Sequence, residues 1–447
     1  MKVKAPGGGD WLEHWDPENE RFWETTGKRI AWRTLWITTA NLTMAFAVWF
    51  VVSALVVRLP NIGFALTTQQ LFWLAAMPGL AGGSLRIVHT FLVPVFGTRK
   101  TVSLSSALLL IPLVGWFFAV QNPATPYGVL LVLAFLAGLG GGNFSSFMPS
   151  TSLFFPKRLQ GTALGIQAGI GNFGVSLVQF VTPWVIGLAG LGALLGRPQT
   201  LTRDGVSQPI WLQNAASVWI PIVAVLSILA WVKLRSVPVR SSLREQADIF
   251  RDKHTWLMTS LYMMTFGSFS GFAAAFPLLI KEVYGHFENA PDPLRFAFLG
   301  PLVGSAIRVA AGPLSDRLGG ARVTQVSGVG LLVSTLGALF FLRPGSLAEF
   351  PWFVAFMLAI FFFAGIGNAS TFKQIPMIFP PRQAAGVIGW TAAIAAYGPF
   401  IFSALIGIAI ATTGAPTPFF IGAAAFYLIN VAVNWWFYAR KEAEKPC

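Results

Sequence analysis

Three cations stand inside stretches that otherwise read as hydrocarbon-soluble: Arg86 in GSLRIVHTFLVPVFGTRK, Arg308 in GPLVGSAIRVAAGPLSDRL and Lys373 in FFFAGIGNASTFKQIPMIF. The chain carries 17 Asp and Glu, and by the spans read below they fall in tails, loops or span edges. An unpaired cation at the centre of a bilayer costs at least ~2.5–3.5 kcal/mol. One reading is a buried ion pair holding helices together; the other is a counter-ion that arrives from solution. The lack of an acidic partner inside the spans favours the second. Arginine is a planar fork of donors that cannot be deprotonated, matched to a flat oxyanion, whereas lysine is a point charge. Two arginines in such a setting point to a small anion.

The elements that must position them follow from composition. Of 447 residues, 55% are hydrophobic and 11% charged, far from a soluble chain. Apolar runs long enough to cross a bilayer of roughly 30 Å fall at 34–58, 71–96, 101–120, 127–155, 161–190, 210–233, 255–280, 296–314, 323–343, 350–379, 384–412 and 417–438. The expected fold is an all-α membrane protein with twelve transmembrane helices in two pseudo-symmetric six-helix bundles. Its division is a tail at 1–33, a bundle at 34–233, a linker at 234–254, a bundle at 255–438 and a tail at 439–447. The polar start lacks an apolar core followed by a cleavage site, so it reads as a tail and not a signal peptide. Arg58, Arg197, Arg203, Lys281, Arg295 and Arg343 are the cations of one side; the other loop cations lie on the side of the termini, which predicts cytoplasmic termini. Cations scattered one or two per loop do not make a nucleic-acid surface. One cysteine and four histidines offer no metal cluster, and no cofactor is implied.

The halves repeat. At an offset of 222, Arg86 falls on Arg308, Gly97 on Gly319 and Lys100 on Arg322; at 224, FPKRLQGTALGIQAGIGNFG overlays FPPRQAAGVIGWTAAIAAYG; near 225, Gly142-Asn143 falls on Gly367-Asn368. Parallel repeats of six spans are the architecture of rocking carriers, with the substrate at the repeat interface near the midplane. Each arginine precedes its loop glycine by 11 residues, about 16 Å of helix, which places both arginines at mid-membrane. The glycine-rich runs GLGGGN, GIQAGIGNFG and GIGNAS permit close backbone approach to a small ligand, and equally close helix packing.

RVAAGPLSDRLGGARVT resembles the loop signature between the eighth and ninth helices of the major facilitator superfamily, with VFGTRK as its degenerate counterpart. More narrowly, WDPENERFWETTGKRIAWRTLWI, LFFPKRLQGTALGIQAGIGNFGVS, LYMMTFGSFSGF and GPLSDRLGGARVT resemble the nitrate/nitrite porter family nearly end to end. The resemblance implies transport of nitrate and nitrite across a bacterial inner membrane by alternating access, with the anion between Arg86 and Arg308. It implies that Asn172 hydrogen-bonds the anion, that Tyr262 contacts the anion or its arginine, and that Phe144 and Phe266 close the pocket. Gly171, Tyr397, Asn143 and Asn368 are further candidates for its lining. Asp316 and Arg317 are assigned to gating on the cytoplasmic side, with interfacial solvation as the alternative. The carrier is expected to act as a monomer in the lipid bilayer.

Coupling stays open between two modes. Lys373, the short FPPRQAAG loop and the surroundings of Tyr397 resemble the branch of proton-coupled nitrate symporters, which tilts the expectation toward proton-coupled import for nitrate assimilation. The titratable candidates are His89, one turn from Arg86, and Lys373; the former also suits a structural donor and the latter also suits snorkelling to the interface. The alternative is nitrate/nitrite antiport without protons, because two uncompensated arginines disfavour reorientation of an empty carrier. Another small oxyanion is a third reading. An enzyme would need a nucleophile–base or metal constellation, and none assembles from these residues.

Overall fold

A computed structural model describes residues 11–189, 196–203, 206–237 and 247–447; most of the expected linker, 238–246, lies outside the described residues. Among the described residues, twelve helices are long and apolar enough to cross a membrane: α1 (Glu20–Leu55), α2 (Thr68–His89), α3 (Leu92–Ala119), α4 (Tyr127–Ser152), α5 (Lys157–Val185), α6 (Asn214–Lys233), α7 (Lys253–Tyr284), α8 (Pro293–Leu318), α9 (Gly320–Leu339), α10 (Leu347–Ile378), α11 (Gly386–Thr413) and α12 (Thr417–Ala439). Several helix ends reach past the apolar runs, so Asp316 sits on the last turn of α8 rather than in a loop. A hairpin of β1 (Gln199–Arg203) and β2 (Val206–Ile210) lies between α5 and α6, where the sequence reading had only a loop.

The second span departs from expectation. Helix α2 stops at His89, the chain turns at Thr90–Phe91, and α3 begins at Leu92 and bends at Gly97, whose φ is +75°. A side chain at that φ would be strained, and an added Cβ would lie 2.5 Å from Ser236 Oγ, so this bend requires glycine. Arg86 therefore occupies the last turn of α2, while Arg308 has more than two further turns of unbroken α8 after it.

The two halves meet along two seams, α2 against α11 and α5 against α8. Both close through glycine. An added Cβ would lie 2.3 Å from Phe400 N at Gly79, 2.7 Å from Phe72 Cβ at Gly407, 2.5 Å from the Tyr397 ring at Gly83 and 2.7 Å from Val309 Cγ2 at Gly169. Nearer the side of the termini, Gly161 and Gly165 on α5, Gly312 on α8 and Gly389 on α11 face nothing within 4 Å. The seams are thus shut over the half remote from the termini and open on the terminal side. On the shut face, Arg58 at the end of the first span holds both carboxylate oxygens of Asp292 at 2.7 and 2.5 Å, and Thr68 donates to Glu282 at 3.0 Å. Both contacts join one half to the other. Arg58 is 5% exposed, so its pairing is shielded from the screening that weakens surface ion pairs.

Candidate functional site

Arg86 is fully buried. Its Nε donates to the Gly141 carbonyl of α4 at 2.9 Å and its Nη1 to the Ala392 carbonyl of α11 at 2.6 Å, so one guanidinium spans both halves. Three rings surround it, with centroids 4.7 Å (Phe144), 5.2 Å (Phe266) and 5.4 Å (Trp49) from Cζ. Aromatic faces attract a desolvated cation by up to ~2 kcal/mol each and leave its edge free for an anion. The Phe144 and Phe266 expected to close the pocket come from opposite halves and both lie against Arg86.

Tyr262 stacks on Phe266 with centroids 5.5 Å apart, and Phe372 meets Tyr262 edge-on at 4.5 Å and lies 5.8 Å from Arg308 Cζ. A π-helical turn at Met263–Gly267 separates Tyr262 from Phe266 and widens α7 at this depth, a device common at functional sites. Asn172 lies three residues beyond Gly169, whose backbone packs on Val309 beside Arg308. The structure therefore brings Arg86, Arg308, Tyr262, Phe144 and Phe266 together between the halves, and Asn172 is buried on α5.

What these groups share is missing partners. Arg86 Nη2, Arg308 Nη1 and both amide atoms of Asn172 are buried with no hydrogen bond, and the Tyr262 hydroxyl lies beside Arg308. A buried polar atom left unpaired costs about 1–3 kcal/mol, more for a charged one, and clustered orphans in a native fold call for an explanation. Among the described residues no carboxylate is paired with either arginine. A flat anion bearing several acceptor oxygens satisfies this donor set. Asn143 Nδ2 and both amide atoms of Asn368 are also buried and unpartnered, at equivalent places of the two halves, while an added Cβ at Gly171 would meet Leu42 rather than the pocket. Tyr397 packs on Gly83 of α2.

The titratable candidates are engaged elsewhere. His89 Nδ1 is 2.8 Å from Ser146 Oγ. Since Ser146 also donates to the Asn143 carbonyl at 3.2 Å, its oxygen accepts from His89, a tautomer assigned from this network. Lys373 is 47% exposed and forms an ion pair with Asp316, so it has snorkelled to the terminal side. Asp316 thereby joins the ends of α8 and α10, and Arg317 beside it is exposed. Exposed pairs contribute ~0–1 kcal/mol. Lys373→Gln is therefore expected to leave anion flux within about twofold of wild type at every pH tested in proteoliposomes; a loss of flux, or a changed pH profile, would return Lys373 to the transport pathway.

Sequence reasoning missed Trp49 and Phe372. Trp49 donates from Nε1 to the Pro78 carbonyl at 2.9 Å and fills the space left by Gly82 and Gly141; among 17 Trp and 40 Phe neither residue type carries a signal. Phe372 could have been found from its place four residues after Asn368.

The model of the Major Facilitator Superfamily matches residues 37–348. A probable nitrate/nitrite antiporter, NarK2 of Thermus thermophilus, is 68% identical over 98% of this chain and 99% of its own. The nitrate/nitrite transporters NarU of Salmonella typhimurium and Escherichia coli are 40% and 39% identical, over 97% and 96% of both chains. The chain belongs to the nitrate/nitrite porter family of the major facilitator superfamily. Among solved structures, an inward-facing, occupied bacterial homologue of the human lysosomal transporter Spinster superposes with a TM-score of 0.65 at 16% identity, covering 91% of this chain and 96% of that one; that likeness concerns the fold alone. A multi-pass bacterial membrane protein of the twelve-helix superfamily fold is thereby shown.

Proposed function

We propose that the protein exchanges nitrate for nitrite across the inner membrane by alternating access, without a proton. The observation that carries this is the set of unpartnered donors, Arg86 Nη2, Arg308 Nη1 and Asn172 Nδ2, buried with no carboxylate beside them. Nitrate and nitrite are flat and carry one negative charge, so a single fork-and-amide site serves both. The empty site leaves two buried guanidiniums without an anion, which makes reorientation without cargo unfavourable. Cargo in each direction then closes the cycle. The names of the relatives agree, one being called a probable antiporter. The proton-coupled alternative depends on Lys373 or His89, and each has a partner of its own, Asp316 and Ser146.

In this reading the bundles at 34–233 and 255–438 rock against each other, one chain suffices, and no catalytic step occurs. The termini are cytoplasmic, since the loop cations gather on their side, so the open vestibule faces the cytoplasm. Asp316, Lys373 and Arg317 sit at its mouth, where they are placed to take part in closure when the terminal side shuts.

The test is nitrate uptake into proteoliposomes under two conditions, nitrite-loaded with no gradient and anion-free with an imposed inward proton gradient. Uptake in the first alone is expected. Gradient-driven uptake into anion-free vesicles would establish proton symport instead.

A further inference from the structure

Helix α11 is broken opposite the site. Ala396 and Tyr397 stay right-handed but distort the turn, with ψ of −11° and −4°, and Pro399 follows, supplying no N–H to continue the ladder. Just before the break, the Ala392 carbonyl accepts from Arg86. Just after it, the Tyr397 hydroxyl is 2.8 Å from Ser84 Oγ on α2. Ser84 spends its own hydrogen on the Leu80 carbonyl at 2.9 Å, so Tyr397 donates. Span α2 therefore grips the break with two side chains two residues apart, and Gly83, just before Ser84, lies against the Tyr397 ring. The guanidinium atoms proposed to hold the anion are the same group that holds the partner bundle.

We propose that the Tyr397–Ser84 hydroxyl pair is a clasp that positions the Ala392 carbonyl as a stand-in acceptor for Arg86, holding the empty carrier in its terminal-side-open state. This rests on the exchange reading above. An incoming anion takes Nη2 of the same guanidinium and partly neutralises it, which weakens the Nη1 bond to the carbonyl; α11 is then tied to α2 mainly by the hydroxyls and the seam, and the loaded carrier turns. Tyr397 acts through Arg86 and is a positioning residue. Its loss makes the empty carrier turn more freely, so strict exchange becomes leaky.

The experiment uses Tyr397→Phe, Ser84→Ala and the double variant in vesicles loaded with labelled nitrate. Efflux is measured into nitrite-containing and into anion-free medium, and the ratio of anion-free to exchange efflux is the readout. A generally damaged carrier lowers both rates and leaves their ratio unmoved. Each single variant is expected to raise the ratio about fivefold, the factor for one lost hydrogen bond, and the double variant to match the singles because either removal breaks the same pair. A ratio equal to wild type in either single variant, or effects that add in the double one, would overturn the clasp. Absence of exchange in wild type would instead remove the reading on which it rests.

Discussion

Arg86→Lys is expected to abolish nitrate transport, with kcat/KM down by about 100-fold or more, while protein of normal abundance and size-exclusion behaviour is still recovered. The charge is retained, so long-range attraction of the anion survives. What disappears is the fork. Lysine cannot donate at once to Gly141 on one helix and Ala392 on the other and still keep a donor for cargo, and its compact ammonium does not lie flat against Phe144, Phe266 and Trp49. Losing two or more charge-assisted hydrogen bonds at ~1.5–3 kcal/mol each accounts for the factor. Uptake into nitrite-loaded proteoliposomes measures it, and a variant within about threefold of wild type would show that charge alone suffices.

Gly79→Val produces an effect of different kind. An added Cβ at Gly79 would lie 2.3 Å from the backbone nitrogen of Phe400 and 2.8 Å from Pro399, and backbone cannot step aside as a flexible side chain can. The face remote from the termini then shuts poorly, so exchange is expected to fall at least about tenfold, the factor for overpacking of ~1–3 kcal/mol that falls on the shut state alone. Nitrate binding to the purified carrier is expected to persist, because Gly79 lies two turns from Arg86. The conformational part is read from a cysteine introduced at Thr68 on the shut face, with native Cys447 replaced by serine. Labelling by an impermeant maleimide from that side should rise in the valine variant. Unchanged labelling with normal exchange would mean that the α2–α11 seam does not need the contact.

The arginines were legible in the sequence because their cost in hydrocarbon marks them, and the repeat that pairs them is written in glycines and loop residues that tolerate little else. Tyr262, Phe144, Phe266 and Asn172 became legible only through resemblance, since nothing in their own spacing separates them from core packing. The turn at Thr90–Phe91 was hidden because 71–96 is uniformly apolar, and hydropathy registers solvent rather than helix continuity. Lys373 could not be placed because its long stem reaches either the site or the interface, and only its pairing with Asp316 decides. The hairpin was overlooked although Asp204-Gly205 stands between QTLTR and VSQPI, a recognised turn signal. Contacts between halves, such as Arg86 with Ala392, join residues 306 positions apart and leave no local trace.

The claim that an anion completes this site is tested most directly by a structure of the carrier determined at saturating nitrate. Flat density is predicted between the bundles, within hydrogen-bond distance of Arg86 Nη2, Arg308 Nη1 and Asn172 Nδ2, the atoms now without partners, with the Phe144 and Phe266 rings beside it. Density elsewhere along the pathway, or an unoccupied gap between the arginines at saturation, would contradict the account.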